Sequence, residues 1–221
     1  MGLRELKKEQ TRQLIADTAW RLFADHGFDK VTVAQIAREA QVAEATVFNY
    51  FPSKEDLFYS RFEAFSARLA DAVRDRGPGE SALTAFRRAL LEEGGLLAQA
   101  EAGDQQALAR LRTVNRVRAG SPALLAREQQ ALNQAASALA GVLAADAAAP
   151  PGDVRPQVAA SAFIGVHQAL LDYVRRRVQS GENPAGLAAE VRTLAADAFE
   201  LLEQGLRDYA AKPAGTTGRT G

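Results

Sequence analysis

Few residues in this 221-residue chain could do covalent or metal chemistry, and that limits what it can be. Cysteine is absent, which removes disulfides, thiol nucleophiles and the commonest zinc sites together. The two histidines, His26 and His167, stand in no metal-ligand spacing. No glycine-rich phosphate loop follows a strand, because no strand pattern precedes one. Hydrogen-bonding and ionic chemistry remain. Thr32 opens a helical pattern with Gln35 three residues on, the arrangement of a capping box. That places a hydroxyl and backbone N–H groups where a phosphate can sit. Further on, "VAEATVFNYFPSK" (42–54) sets Thr46 and Asn49 among a run of aromatic rings.

The elements that must position these residues are helices, since no run of alternating β-branched residues is bounded by hairpin turns. Ile15, Ala19, Leu22 and Phe23 fall at i, i+4, i+7 and i+8, and Gly27 is expected to close that helix as a left-handed cap. From Thr32, Ile36, Ala37 and Ala40 form the inner face of a second helix. Val42, Val47, Tyr50 and Phe51 also recur at helical spacing, and Pro52 stops them, because the residue before proline avoids the α region. Ser53 then caps a helix with Asp56 at its third position, running through Leu57, Phe58, Phe62, Phe65, Leu69 and Val73 to the "GPGE" break at 77–80. Two short helices joined by a tight turn, with a helix on each side, make a helix-turn-helix. Ala37 is small where the second and third helices approach, and Val42 and Val47 fill the angle between them.

Seven of the ten phenylalanines lie at or before Phe65, and the rest of the chain is rich in Ala and Leu. A small aromatic core followed by a larger aliphatic one predicts two domains. The expected fold is all-α, with about nine helices: a three-helix unit over 1–60, a helical bundle over 61–211, and a disordered tail over 212–221. The later helices are expected at 81–100, 104–119, 122–147, 154–180 and 185–211, separated by Gly- and Pro-bearing breaks. No uncharged apolar stretch approaches the roughly 20 residues of a membrane span, and the N-terminus lacks a signal-peptide core. A cytoplasmic protein without membrane contact is expected. Basic and acidic residues number 27 each, so net charge gives no signal for nucleic acid. Residues 1–65 hold nine basic and ten acidic groups, a net of −1, with Arg4, Lys7, Lys8 and Arg12 clustered in the leading arm.

Residues 27–58, "GFDKVTVAQIAREAQVAEATVFNYFPSKEDLF", resemble the DNA-binding region of TetR-type transcriptional regulators. The likeness rests on Gly27-Phe28, Thr32, Ile36-Ala37 and Tyr50-Phe51-Pro52-Ser53-Lys54, and covers about a seventh of the chain. It implies an all-helical homodimer that binds double-stranded DNA. On this resemblance the helix from about 43 to 51 enters the major groove and presents Ala43, Glu44, Thr46, Phe48 and Asn49. Asn can bond bidentately to adenine, Glu can accept from cytosine N4, and Phe48 can pack on a thymine methyl. Thr32, Tyr50 and Lys54 match phosphate-contacting positions, which set register while base contacts set sequence. Two departures stand out: Gln41 replaces the turn glycine of many members, and Ala43 replaces a serine cap. The implied function is a ligand-responsive repressor on a pseudo-palindromic operator, released by a small molecule. "ATVFNYFPSKEDL" further resembles an actinobacterial subgroup associated with acyl-CoA-like ligands, for which Arg112, Arg116 and Arg118 could suit a phosphate.

The larger body offers pocket candidates. Leu108, Leu111, Asn115 and Arg118 share one helical face, and Phe163, His167, Leu170 and Val174 share another. A polar group buried on such a face needs a partner; a ligand is one, and the alternative is that the groups satisfy one another or water. Trp20 is expected to pack between helices. The stripes Val158, Ala162, Val166, Ala169, Tyr173 and Leu187, Val191, Leu194, Ala198, Leu201 could pair helices 154–180 and 185–211 across a dimer or serve the internal core alone. No cofactor is expected and no enzyme activity. The rival reading is an all-helical interaction or scaffold protein without sequence-specific DNA binding.

Overall fold

The computed structural model describes residues 2–92, 105–180 and 186–205. Nine helices run through the described residues: α1 (Leu3–His26), α2 (Val33–Glu39), α3 (Glu44–Tyr50), α4 (Lys54–Arg74), α5 (Ala82–Glu92), α6 (Gln105–Gly120), α7 (Pro122–Asp146), α8 (Arg155–Gln179) and α9 (Leu187–Gln204). No strand occurs among them. The second half of the helix expected at 81–100, the end of the one expected at 185–211, and the tail at 212–221 lie outside the described residues. The basic cluster at the N-terminus is not a separate arm: Arg4, Lys7, Lys8 and Arg12 ride on the first turns of α1.

Two apolar cores form. The first gathers Ile15, Leu22, Phe23, Phe28, Ile36, Ala37, Val47, Phe51, Leu57 and Phe58. Its rings interlock, with Phe28 edge-on to Phe58 at 5.5 Å and tilted against Phe23 at 5.1 Å. Such pairs add to the burial of their surface because ring edges and faces carry opposite partial charge. Leu124 of α7 reaches into this core as well, so α1–α3 do not close it alone. The second core unites Leu69, Phe86, Leu139, Phe163, Val174, Leu187 and Phe199 from α4, α5, α7, α8 and α9. α4 runs through both, giving Leu57 and Phe58 to one and Leu69 and Val73 to the other, while Phe62 packs against each.

Local chemistry sets the ends of the short helices. The Thr32 hydroxyl accepts from Gln35 N at 3.1 Å, and among the described residues the reciprocal bond of a full capping box is absent. Gly27 does have positive φ, at 85°, but its ψ of 151° puts it outside the left-handed helical region. The turn between α2 and α3 is a Schellman motif: Val42 N donates to Ala37 O at 2.9 Å and Gln41 N to Arg38 O at 3.1 Å. That motif holds Gln41 at φ 57°, where glycine is usual. A side chain in this conformation costs about 1–2 kcal/mol. Glycine in the unfolded chain gives back about 0.5–1 kcal/mol of that difference. Gln41→Gly should therefore raise stability by about 0.5–1 kcal/mol. Urea unfolding of the two proteins checks this, with an equal or lower midpoint counting against the turn as described.

Candidate nucleic-acid interface

The third helix turns one side inward and one outward. Val47 is fully buried against Ile36 and Ala37, while Ala43, Glu44 and Asn49 are exposed and Thr46 is half-buried. Phe48 keeps 48% of its surface in solvent, so this ring is not part of the core. Ala43 is the N-cap of α3 and supplies no side-chain bond, only its backbone carbonyl. Thr32, exposed at the start of α2, and Tyr50, half-buried at the end of α3, flank this surface.

Lys54 has partners inside the protein. Its Nζ donates to Phe28 O at 3.0 Å and Val31 O at 3.3 Å, and lies 4.1 Å from the centre of the Phe28 ring. Two of its three N–H groups thus tie α4 to the turn before α2, a commitment that sequence reading did not foresee.

Directly behind α3, one carboxylate organises the start of α4. Asp56 Oδ2 accepts from Ser53 N at 2.9 Å and from Ser53 Oγ at 2.7 Å, while Asp56 N donates to Ser53 Oγ at 3.1 Å, completing the expected capping box. Asp56 Oδ1 accepts from Arg127 Nε of α7 at 2.7 Å, and Arg127 Nη2 donates to Glu63. Burial alone would raise the Asp56 pKa, but the bonds from Ser53 and Arg127 outweigh it and hold the carboxyl below its usual range. The next residue on α7, Glu128, is buried and receives Arg118 of α6 at 2.7 Å and Arg175 of α8 at 2.6 Å. Two ion-pair clusters on adjacent residues of α7, Arg127 reaching α4 and Glu128 reaching α6 and α8, thus make up the polar network just behind the helix-turn-helix.

A cavity of about 390 Å³ lies beside that network, between α1, α4, α6 and α8. Trp20, Phe58, Phe62, Phe65, Leu170 and Leu171 make much of its wall. Asn115 and His167, both expected as pocket residues, line it together. Arg118 and Phe163 do not: Arg118 is bound to Glu128, and Phe163 packs on Phe86 at 5.3 Å in the second core. Arg112 donates to Val178 O at 2.9 Å, and Arg116 is exposed. Leu108 and Leu111 have side chains outside the description. Sequence reading missed Tyr59, which lies one residue past Phe58 and is 3% exposed. Trp20 packs under the Arg61 guanidinium at 4.2 Å and also faces the cavity. Of the expected dimer stripes, Val166, Leu187 and Val191 are buried in the second core and Tyr173 donates to Glu190 at 2.8 Å. Val158, Ala169 and Leu194 remain exposed, with Val158 at 64%. Among the described residues no helix is long and apolar enough to cross a membrane, and no His, Cys, Asp and Glu group could hold a metal.

Two outcomes follow from these electrostatics. Arg127→Met strands Asp56 and Glu63 and should cost about 2–4 kcal/mol; a loss under 1 kcal/mol in urea unfolding would remove Arg127 from its bracing role. His167 has its pKa lowered to about 4, by burial first and then by the Arg175 charge. The unfolded chain binds that proton below the ordinary value of 6.5 and the folded chain does not. Stability is therefore lost as pH falls from about 6.5 towards 4. Between pH 7 and 5 the His167 share is about 2 kcal/mol. His167→Gln should lack that share, and equal losses in both proteins would contradict the buried neutral imidazole.

Comparison with known proteins agrees with this architecture. The family model described as bacterial regulatory proteins, tetR family, matches residues 15–60. The transcriptional regulator TcmR of Streptomyces glaucescens is 31% identical over 169 residues, 75% of this chain and 73% of that protein. The uncharacterized regulator YuxN of Bacillus subtilis and the repressor AcnR of Corynebacterium glutamicum are each 31% identical over shorter stretches. The chain spans only 28% and 44% of their lengths respectively. A transcriptional regulator from Pseudomonas aeruginosa PAO1 superimposes with a TM-score of 0.52 at 24% identity, covering 90% of this chain and 92% of that one. The Thermus thermophilus repressor FadR, solved with lauroyl-CoA, gives 0.50 at 22% identity, covering 92% and 99%. The extent and identity of the TcmR match, on an all-helical chain carrying this helix-turn-helix, show that the chain belongs to the TetR family of transcriptional regulators.

Proposed function

We propose that this regulator is a ligand-responsive repressor that binds a pseudo-palindromic operator as a homodimer and leaves it when a small molecule occupies the cavity. The observation that carries this reading is the position of α3. Its outer residues face solvent, its inner face is locked by Val47, and its exit joins the Asp56 cap that is tied to the ligand-facing body. Glu44, Thr46, Phe48 and Asn49 read base edges, Ala43 approaches through its backbone, and Thr32, Tyr50 and the remaining N–H of Lys54 meet phosphates. Residues 1–60 act as the DNA-binding unit and 61–211 as the effector and dimerisation unit. Val158, Ala169 and Leu194 supply an apolar surface on α8 and α9 for the two-fold contact.

Effector entry between α1 and α4 displaces the first turn of α4, and with it α3, so the two recognition helices no longer match adjacent grooves. An acyl-CoA-like effector would set its anionic groups against Arg12, Arg61 and Arg68 on the cavity's wall. The lauroyl-CoA complex belongs to the T. thermophilus protein, and at 22% identity the likeness carries the fold and not the ligand.

Selection of randomised duplex DNA on the purified protein at about 150 mM salt should recover a palindrome with half-sites about one helical turn apart. Asn49→Ala should relax one base step by about 1–3 kcal/mol. Tyr50→Ala should weaken all sequences alike and lower the salt slope by about one phosphate. No enrichment by the parent protein would reject the operator-binding reading. A changed base preference in Tyr50→Ala would reject its phosphate role.

A further inference from the structure

The cavity's chemistry narrows what it can hold. Tyr59, Asn115 and His167 line it at 3%, 4% and 6% exposure, and each has a buried polar atom without a partner among the described residues: the Tyr59 hydroxyl, Asn115 Nδ2 and His167 Nδ1. Buried polar atoms are nearly always paired, so three such atoms on one cavity mark a binding end. Asn115 Nδ2 is a donor only, and a tyrosine hydroxyl donates readily, so the complement is an oxygen acceptor.

Charge sorts the candidates further. No carboxylate lines the cavity among the described residues, while four arginines do, which opposes a cation. The deep guanidinium, Arg175, is already paired with Glu128 at 2.6 Å and Asp172 at 3.0 Å, so it offers no unbalanced charge to an anion. His167 stays neutral near pH 7 because burial and Arg175 both disfavour its protonation. The walls near this end are flat. Phe62 stacks on His167 at 5.6 Å with 9° between the rings, Phe65 lies 5.4 Å from the same imidazole, and Phe58 and Trp20 add two more aromatic faces. Aromatic faces gain most from another ring laid offset or edge-on.

Building on the reading of the cavity as an effector site, we propose that it takes an uncharged, planar ring-bearing molecule whose carbonyl oxygen is bound by Asn115 and Tyr59, rather than an acyl chain or a lipophilic cation. The ring fills the space between Trp20 and Phe62, and the carbonyl replaces the missing partners at the polar end. A molecule of this kind touches α1 and α4 together.

The chain has one tryptophan, Trp20, and it faces the cavity, so its fluorescence reports occupancy directly. Three probes separate the classes: flavone, a neutral planar ketone; lauroyl-CoA; and tetraphenylphosphonium. Flavone should change Trp20 fluorescence saturably and bind at least ten-fold more tightly than the other two. Tyr59→Phe and Asn115→Leu should each weaken flavone at least ten-fold. Both variants also remove an unpartnered buried polar atom, so their melting temperatures without probe should rise by about 2–4 °C. A merely structural role for these side chains would lower them instead. Tighter binding of either competing probe, no saturable signal from any probe, or flavone binding indifferent to both substitutions overturns the proposal. Release of the selected operator DNA is read separately. Flavone that binds without releasing DNA leaves the ligand class standing and rejects ligand-responsive repression. Release by lauroyl-CoA alone keeps responsive repression and rejects the class.

Discussion

Asp56 is one carboxylate used twice, and the geometry of the recognition surface depends on it. Its Oδ2 closes the N-terminus of α4 with Ser53, and its Oδ1 holds Arg127 of α7. Because α4 begins four residues after Tyr50, with Pro52 fixing the connection, a shift of that first turn is a shift of α3. Arg127 also spans to Glu63, on the same face of α4 about two turns along, so it grips the helix at two points. Ion pairs taken out of water are stable only when geometry and extra hydrogen bonds repay the lost hydration. Such a network tends to be made or unmade rather than gradually stretched. That is the property a switching element needs.

The cavity meets the neighbouring Glu128 cluster at two residues. Arg175 lines the cavity and holds Glu128, and Tyr59 lines the cavity with its hydroxyl pKa raised, by burial first and by the Glu128 charge next. Phe58, beside Tyr59 in sequence, packs in the first core against Phe23 and Phe28. One turn of α4 thus touches the cavity, the polar network and the aromatic core at once. A molecule in the cavity can bias α3 only through its unequal affinity for the two arrangements. Moving a 1:99 balance to 99:1 needs about 5.5 kcal/mol of such difference. A few bonds to groups otherwise unpaired, together with ring burial, reach that scale.

Much of the DNA-facing half was legible in the sequence, because its determinants are local. Thr32, Ser53 with Asp56, Pro52, and the Ala37–Val42–Val47 triple all act within a few residues; each takes its expected place, though Thr32 caps α2 through one bond rather than a full capping box. The Gln41 substitution was readable too: the Schellman bonds from Val42 and Gln41 are strong enough to keep the turn left-handed without glycine. What escaped the sequence acts over distance. Arg127 and Asp56 are 71 residues apart, and Lys54 reaches carbonyls 23 and 26 residues upstream, where no side-chain identity marks the acceptor. The cavity was half legible for a related reason. Helical spacing places Asn115 with Arg118, and Phe163 with His167, on one face. It cannot say where along that face the core gives way to the cavity. Arg118 falls to Glu128 and Phe163 to Phe86, one turn from their companions.

The aromatic first core carries a second consequence. Unpaired buried polar groups cost about 1–3 kcal/mol each. Tyr59, Asn115 and His167 together therefore weigh against a total stability that for a domain is only about 5–15 kcal/mol. Phe58, edge-on to Tyr59 and packed on Phe23 and Phe28, adds burial that offsets part of that cost, and Arg127 braces the same stretch of α4 through Asp56. The density of phenylalanine before residue 66 thus does more than close the first core: it supports a chain that carries unpaired polar groups beside a cavity and still holds α3 in place.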